Sequence, residues 1–154
     1  MCLIVDANVA SLVFSKTPDE EFEPIWKALR KKRAIAFMGG ELSREYARIT
    51  SIRKILVELN RQGVLRRVSD QQVDELTKEF REYQLRSDDP HILALASVSN
   101  ARLLCSHDQN LHTDFTNPVL LKPPGSIYQN STHKHLIRKH CKATSKTKKK
   151  SKKT

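Results

Sequence analysis

The chain has 154 residues, which suits one compact domain of about 100–130 residues with an appendage. No apolar run approaches the roughly 18 residues that cross a bilayer, which excludes a transmembrane helix. The net charge of +11 is unevenly spread: all 17 acidic residues lie at or before Asp114, where 17 of the 28 Lys and Arg cancel them, and the other 11 cations follow Phe115. The composition therefore describes a neutral body with a cationic end.

Cys2–Val5 is a short apolar run that stops at Asp6, the pattern of a buried parallel strand rather than a secretory signal. With no signal and no membrane span, a cytoplasmic location is expected. Asn8–Phe14 continues as a helix, and a second helix is predicted from Pro18 to Lys32, acidic at its start and basic at its end as the helix dipole favours. Ala34–Met38 forms another strand, closed by Gly39-Gly40. Glu41–Asn60 reads as one long helix with Leu42, Tyr46, Ile49, Ile52, Leu56 and Leu59 facing the core. Val64–Val68 is a short strand. Ser69 or Asp70 caps a helix through Tyr83 with Val73, Leu76 and Phe80 inward. Asp89–Ser99 is helical and Arg102–Ser106 is a strand ending near Asp108. Beyond Thr116 prolines break the pattern, Ile127-Tyr128 gives an edge strand, and Thr132–His140 makes a short basic helix. The residues after Cys141, nearly all Lys, Ser and Thr, cannot bury a core and are expected to be disordered alone. This divides the chain into a domain over residues 1–130 and a basic extension over residues 131–154.

Strands that alternate with helices predict a parallel sheet of about four or five strands with right-handed crossovers. In such sheets the working site lies off the carboxyl ends of the strands, where Asp6 and Asp108 fall. Glu45 and Asp89 stand in the first turns of helices that follow strands or loops, so four carboxylates converge on one pocket. Like charges resist joint ionisation, and a hard divalent ion such as Mg²⁺ or Mn²⁺ relieves them. Phosphodiester hydrolysis follows from that arrangement without a Ser or Cys nucleophile. The bland alternatives are that Asp6, Asp108 and Asp89 are helix caps and that Glu45, like Glu41, is a solvated helix residue. His91 and His107 stand beside these acids, either contacting substrate or finishing a helix start and a loop.

In order along the chain, four short motifs resemble those of PIN-domain nucleases. Leu3-Ile4-Val5-Asp6-Ala7-Asn8-Val9 resembles the opening strand with its Asp-x-Asn, and Leu42-Ser43-Arg44-Glu45-Tyr46 resembles the second motif. Asp88-Asp89-Pro90-His91-Ile92-Leu93-Ala94-Leu95-Ala96 resembles the third. Leu103-Leu104-Cys105-Ser106-His107-Asp108, with Asp114-Phe115 trailing, resembles the fourth. The resemblance implies a three-layer α/β/α fold and a divalent-metal endoribonuclease. Many small relatives are VapC-type toxins, so a toxin or stress effector with a cognate antitoxin, and a homodimer, are implied too. By position, Asp6, Glu45, Asp89 and Asp108 become the catalytic acids, and Asp6, Asp89, Asp108 and Asp114 the metal ligands. Asn8, Ser106 and Asn110 become supporting residues. Asn110 stands where several relatives carry a second Asp, a departure that leaves open a one-metal enzyme, or a degenerate fold that binds RNA or a protein without cutting.

An acidic pocket needs cations around it to hold a polyanion. Arg44 and Arg48, one turn apart beside Glu45, either bind phosphates or pair with local acids such as Glu41. Lys142, Lys146, Lys148, Lys149 and Lys150 suit sequence-independent phosphate contact or serve solubility alone. Three cysteines, Cys2, Cys105 and Cys141, an odd number with no CxxC spacing, argue against a disulfide framework or a zinc site, and Cys2 and Cys105 read as buried thiols.

Overall fold

The computed structural model describes residues 2–141. Five short parallel strands, β1 (Leu3–Val5), β2 (Ala36–Met38), β3 (Leu65–Arg67), β4 (Leu103–Cys105) and β5 (Ser126–Tyr128), form one sheet in the order β3-β2-β1-β4-β5. The chain builds outward from β1 through β2 to β3, then returns to the other side of β1 for β4 and β5. Right-handed crossovers running in opposite directions lay their helices on opposite faces, so the sheet becomes the middle of three layers. The expected α/β/α architecture with a central parallel sheet is what the chain adopts.

Those crossovers carry α1 (Ala10–Val13), α2 (Glu23–Arg30), α3 (Glu41–Ala47), α4 (Arg53–Arg61), α5 (Asp70–Phe80), α6 (Pro90–Ser99) and α7 (Gln109–Phe115). Residues 135–141 form one more helix, α8. The core is Leu3, Ile4 and Val5 in the centre, flanked by Leu103, Leu104 and Cys105, all fully buried. α6 runs Ile92-Leu93-Ala94-Leu95-Ala96 with every one of those side chains at 0% exposure, as a helix apolar all round must be.

Several boundaries differ from the sequence reading for local reasons. The single helix expected over residues 41–60 is interrupted: Ile49 is extended (φ −99°, ψ 94°) and a 3₁₀ turn spans Thr50–Ile52. β-Branched Ile49, Thr50 and Ile52 weaken helix propensity, and the Arg53 guanidinium takes the Ala47 carbonyl at 2.8 Å. The helix expected from Pro18 begins instead with a 3₁₀ turn capped by Asp19, whose carboxylate accepts the Glu21 N–H at 2.9 Å. Gly40, at φ +58°, turns β2 into α3, and a Cβ there would stand 2.6 Å from Val73 Cγ1. α7, which begins directly after Asp108, is an element the periodicity did not reveal.

The cysteine reading is corrected outright. Cys2 and Cys141 are disulfide-bonded across 139 residues of sequence, and only Cys105 remains a buried thiol among the described residues. Spacing could not show this, because pairing depends on where the fold brings the two Cβ atoms. The boundary drawn at residue 130 also falls inside continuous packing. Ser131 donates to Glu21 through its N–H and Oγ, His140 bonds Ser126 Oγ at 2.9 Å, and Leu136 and Ile137 pack against the core. No helix among the described residues is long and apolar enough to cross a membrane.

Candidate active site at the carboxyl ends of β1 and β4

The sheet changes direction between β1 and β4, and the crevice beyond that switch point is where parallel α/β sheets place ligands. Parallel register sets Val5 opposite Cys105, so the next residues, Asp6 and Ser106, emerge side by side. The Asp6 N–H continues the ladder to the Cys105 carbonyl at 2.9 Å, and Ser106 Oγ donates to Asp6 Oδ2 at 2.7 Å. Asp6 is 5% exposed. Burial raises its pKa, the Ser106 hydrogen bond works against that, and the Glu45 charge raises it further.

Asp89 stands immediately before α6 with no side-chain bond to the helix N–H groups, so it is not spent as a cap. Burial pushes its carboxyl up to about 6. The charges of Asp6, Glu45 and Asp108 push the same way, and the offsetting charge comes from His91. Asp6, Glu45, Asp89 and Asp108 are therefore gathered at one end of the sheet, within electrostatic reach of Asp89. They are not closed onto a common point: among the described residues, no three His, Cys, Asp or Glu side chains are spaced to hold a metal ion as they stand. The donor set itself, oxygen ligands with unneutralised charge, suits Mg²⁺ or Mn²⁺.

Each acid is placed by a different device. Asp108 caps α7, its Oδ1 accepting the Asn110 and Leu111 N–H groups at 3.0 and 3.2 Å. Glu45 is held by His91, Nε2 to Oε1 at 3.0 Å, with the imidazole almost wholly buried. Glu41, one turn earlier, faces Arg44 and Arg48 instead, at 3.3 and 3.8 Å. Tyr46, which the sequence offers only as a core residue, donates its hydroxyl to the Val5 carbonyl and so clamps α3 onto the strand end that carries Asp6.

Other candidates fall elsewhere. Asp114 is 2% exposed, and its carboxylate accepts the Arg86 N–H at 2.9 Å and the Ser87 N–H at 2.9 Å. It shapes the loop that leads into Asp88-Asp89 and does not join the charges acting on Asp89. Asn8 is exposed, and the side-chain hydrogen bond that supports Asp6 comes from Ser106. Asn110 contributes its backbone N–H, and its side chain is exposed. His107 is exposed, with its ring against Phe22.

Arg44 is committed to acids. Its guanidinium makes a fork with Asp74, 2.6 and 3.2 Å, as well as reaching Glu41. Arg48 remains exposed. Lys142, Lys146, Lys148, Lys149 and Lys150 lie outside the described residues. A groove of about 600 Å³ runs between α3, α5 and the start of α6, lined by Glu45, Asp89 and His91 together with Lys78 and Arg81. Those two cations were missed in the sequence, where they look like ordinary exposed positions; their three-residue spacing across the C-terminal end of α5 is the only signal they give.

Compared with family models, with curated proteins and with solved structures, the chain matches none. The functional reading rests on the motifs and on this geometry.

Proposed function

We propose that the chain is a divalent-metal-dependent endoribonuclease of the PIN-domain type, hydrolysing RNA phosphodiester bonds at the crevice beyond β1 and β4. One observation carries the reading. Asp89 is pushed up to about 6 by burial and then by three carboxylates from three distant segments, with no Lys or Arg among the charges offsetting it. Such frustration is costly unless a cation enters.

Asp6, Asp89 and Asp108 would hold Mg²⁺ or Mn²⁺. When bound, the ion stabilises charge on the phosphate and acidifies water. The chain's own residues supply the rest. Asp89 would be held ionised as a ligand, since a cation there offsets the three neighbouring carboxylates. Ser106 fixes Asp6, and Asp114 fixes the loop before Asp89. Glu45 and His91 hold one wall of the groove, while Lys78 and Arg81 offer partners to the phosphates of a bound strand. A toxin or stress-effector role, restrained by a cognate inhibitor protein, belongs to the same reading.

Labelled single-stranded RNA incubated with the protein and Mg²⁺ or Mn²⁺ tests it. Cleavage should stop in excess chelator, and Asp6→Asn or Asp89→Asn should each slow it at least about 100-fold. Full activity in chelator would overturn it. The wide spacing of the acids and the exposed, neutral Asn110 favour a second reading, a nucleic-acid-binding module that no longer cuts. RNA bound but recovered intact with either metal would select that reading.

A further inference from the structure

We propose a second nucleic-acid contact, a cationic cleft at the opposite end of the sheet from the carboxylates, that grips the phosphodiester backbone of a single strand. The cleft, about 600 Å³, lies between the C-terminal end of α2 and helix α8. One wall carries Lys31, Lys32 and Arg33, the other Lys134 and Arg138, and no carboxylate lines it. All five are exposed, and none forms a salt bridge with another described residue. Nearby Lys27 is the exception, paired with Glu23 at 2.7 Å.

Unpaired cations on two facing elements repel each other, and the fold holds them together regardless. Cys141 lies in this cleft and is bonded to Cys2 at the amino end of β1, which pins α8 beside α2. The opposite wall is pinned by sequence order, because Arg33 leads directly into β2 through Ala34 and Ile35. A recessed, two-walled basic cleft suits a phosphate chain better than a flat anionic surface. Seven further lysines follow Cys141 in the sequence, outside the described residues. The cleft stands whether or not the carboxylate site cuts.

The test is fluorescence anisotropy of a labelled single-stranded RNA against the full chain in chelator, across a salt series. Lys31→Gln with Arg33→Gln, and separately Lys134→Gln with Arg138→Gln, should each weaken binding. Each pair should flatten the log–log salt slope by about 1.4, the value for two lost phosphate contacts on a single strand. Lys54→Gln with Lys122→Gln, the same charge removed elsewhere, should leave the slope within error, and urea midpoints should confirm that all variants fold. Cleft variants that lose no more than that control would overturn the proposal. So would a loss confined to vesicles containing phosphatidylserine, with RNA binding intact. Because cleavage is absent in chelator, failure here is separate from failure of the nuclease reading.

Discussion

Ser106 Oγ and Asp6 Oδ2 meet at 2.7 Å across 100 residues of sequence, and that hydrogen bond joins the two strand ends that build the crevice. Ser106 is 0% exposed and Asp6 5% exposed, so neither has water as a ready substitute.

Ser106→Ala should therefore leave a buried carboxylate short of its donor, at a cost of about 1–3 kcal/mol. Burial already raises the Asp6 pKa, and this hydrogen bond restrains it; without it the pKa climbs further. The loss should be larger at neutral than at acidic pH, where protonation relieves the charge. Urea unfolding at several pH values reads this, and Ser106→Thr should restore most of it. An equal loss at all pH values would mean that the bond to Asp6 carries none of it, leaving the Asp108 N–H that Ser106 Oγ also accepts at 3.1 Å.

Two groups pull the acid stability of the metal-free protein in opposite directions. The Asp89 carboxyl is raised from 3.8 to about 6, first by burial, so the fold binds that proton more readily than the unfolded chain does. Its contribution grows as pH falls and is lost as pH rises through about 6. The His140 imidazole is lowered from 6.5 to about 4, first by burial and then by Lys139 and other cations. Its contribution is complete above 6.5 and is lost as pH falls towards 4. The two effects overlap and offset. Asp89→Asn should steepen the fall of the unfolding midpoint between about pH 7 and pH 5, and His140→Gln should flatten or reverse it. Unchanged profiles in both variants would refute the assignment.

The Asp114 carboxylate satisfies the N–H groups of Arg86 and Ser87 from inside the protein. Asp114→Ala should cost about 1–3 kcal/mol, chiefly through the orphaned buried donor of Ser87. Hydrogen exchange should quicken at Arg86 and Ser87 before it does in β1. If Asp114 instead acts mainly by binding a metal, the metal-free protein should lose little stability.

Much of this fold was legible because strand and helix alternate with strong periodicity, and because Asp6 and Asp108 each follow an apolar run. What separates Glu45 from Glu41 was not legible, since both share α3 and differ only in partner: His91 for one, Arg44 and Arg48 for the other. Arg44 illustrates the same limit, as its fork with Asp74 joins residues 30 apart in sequence. Asp114 stood in a recognisable motif, yet its work is on a loop that no local pattern tied to it. Tyr46 fitted the apolar stripe so well that its hydroxyl, on the Val5 carbonyl, gave no sign in the sequence. Removing that hydroxyl by Tyr46→Phe should cost about 1–2 kcal/mol in urea unfolding, since it strands a buried carbonyl.

The Cys2–Cys141 bond makes the most easily read prediction. It closes nearly the whole chain into one loop, with a sequence separation of 139. Cross-links of this kind stabilise chiefly by restricting the unfolded chain, typically by ~2–4 kcal/mol. The remaining thiol, Cys105, is fully buried, and burial pushes its pKa well up, so it should resist alkylation in the native protein. Thiol titration without reductant should find almost none in the folded state and one after unfolding in urea. With reductant removed after treatment, three should appear. Cys141→Ser should lower the unfolding midpoint to that of the reduced wild type, while reduction should change nothing further in the variant. Disulfides are rare in reducing compartments, which sets this pairing against the cytoplasmic expectation. Three reactive thiols in unreduced, unfolded protein would remove the bond, and with it the pin that holds α8 beside α2.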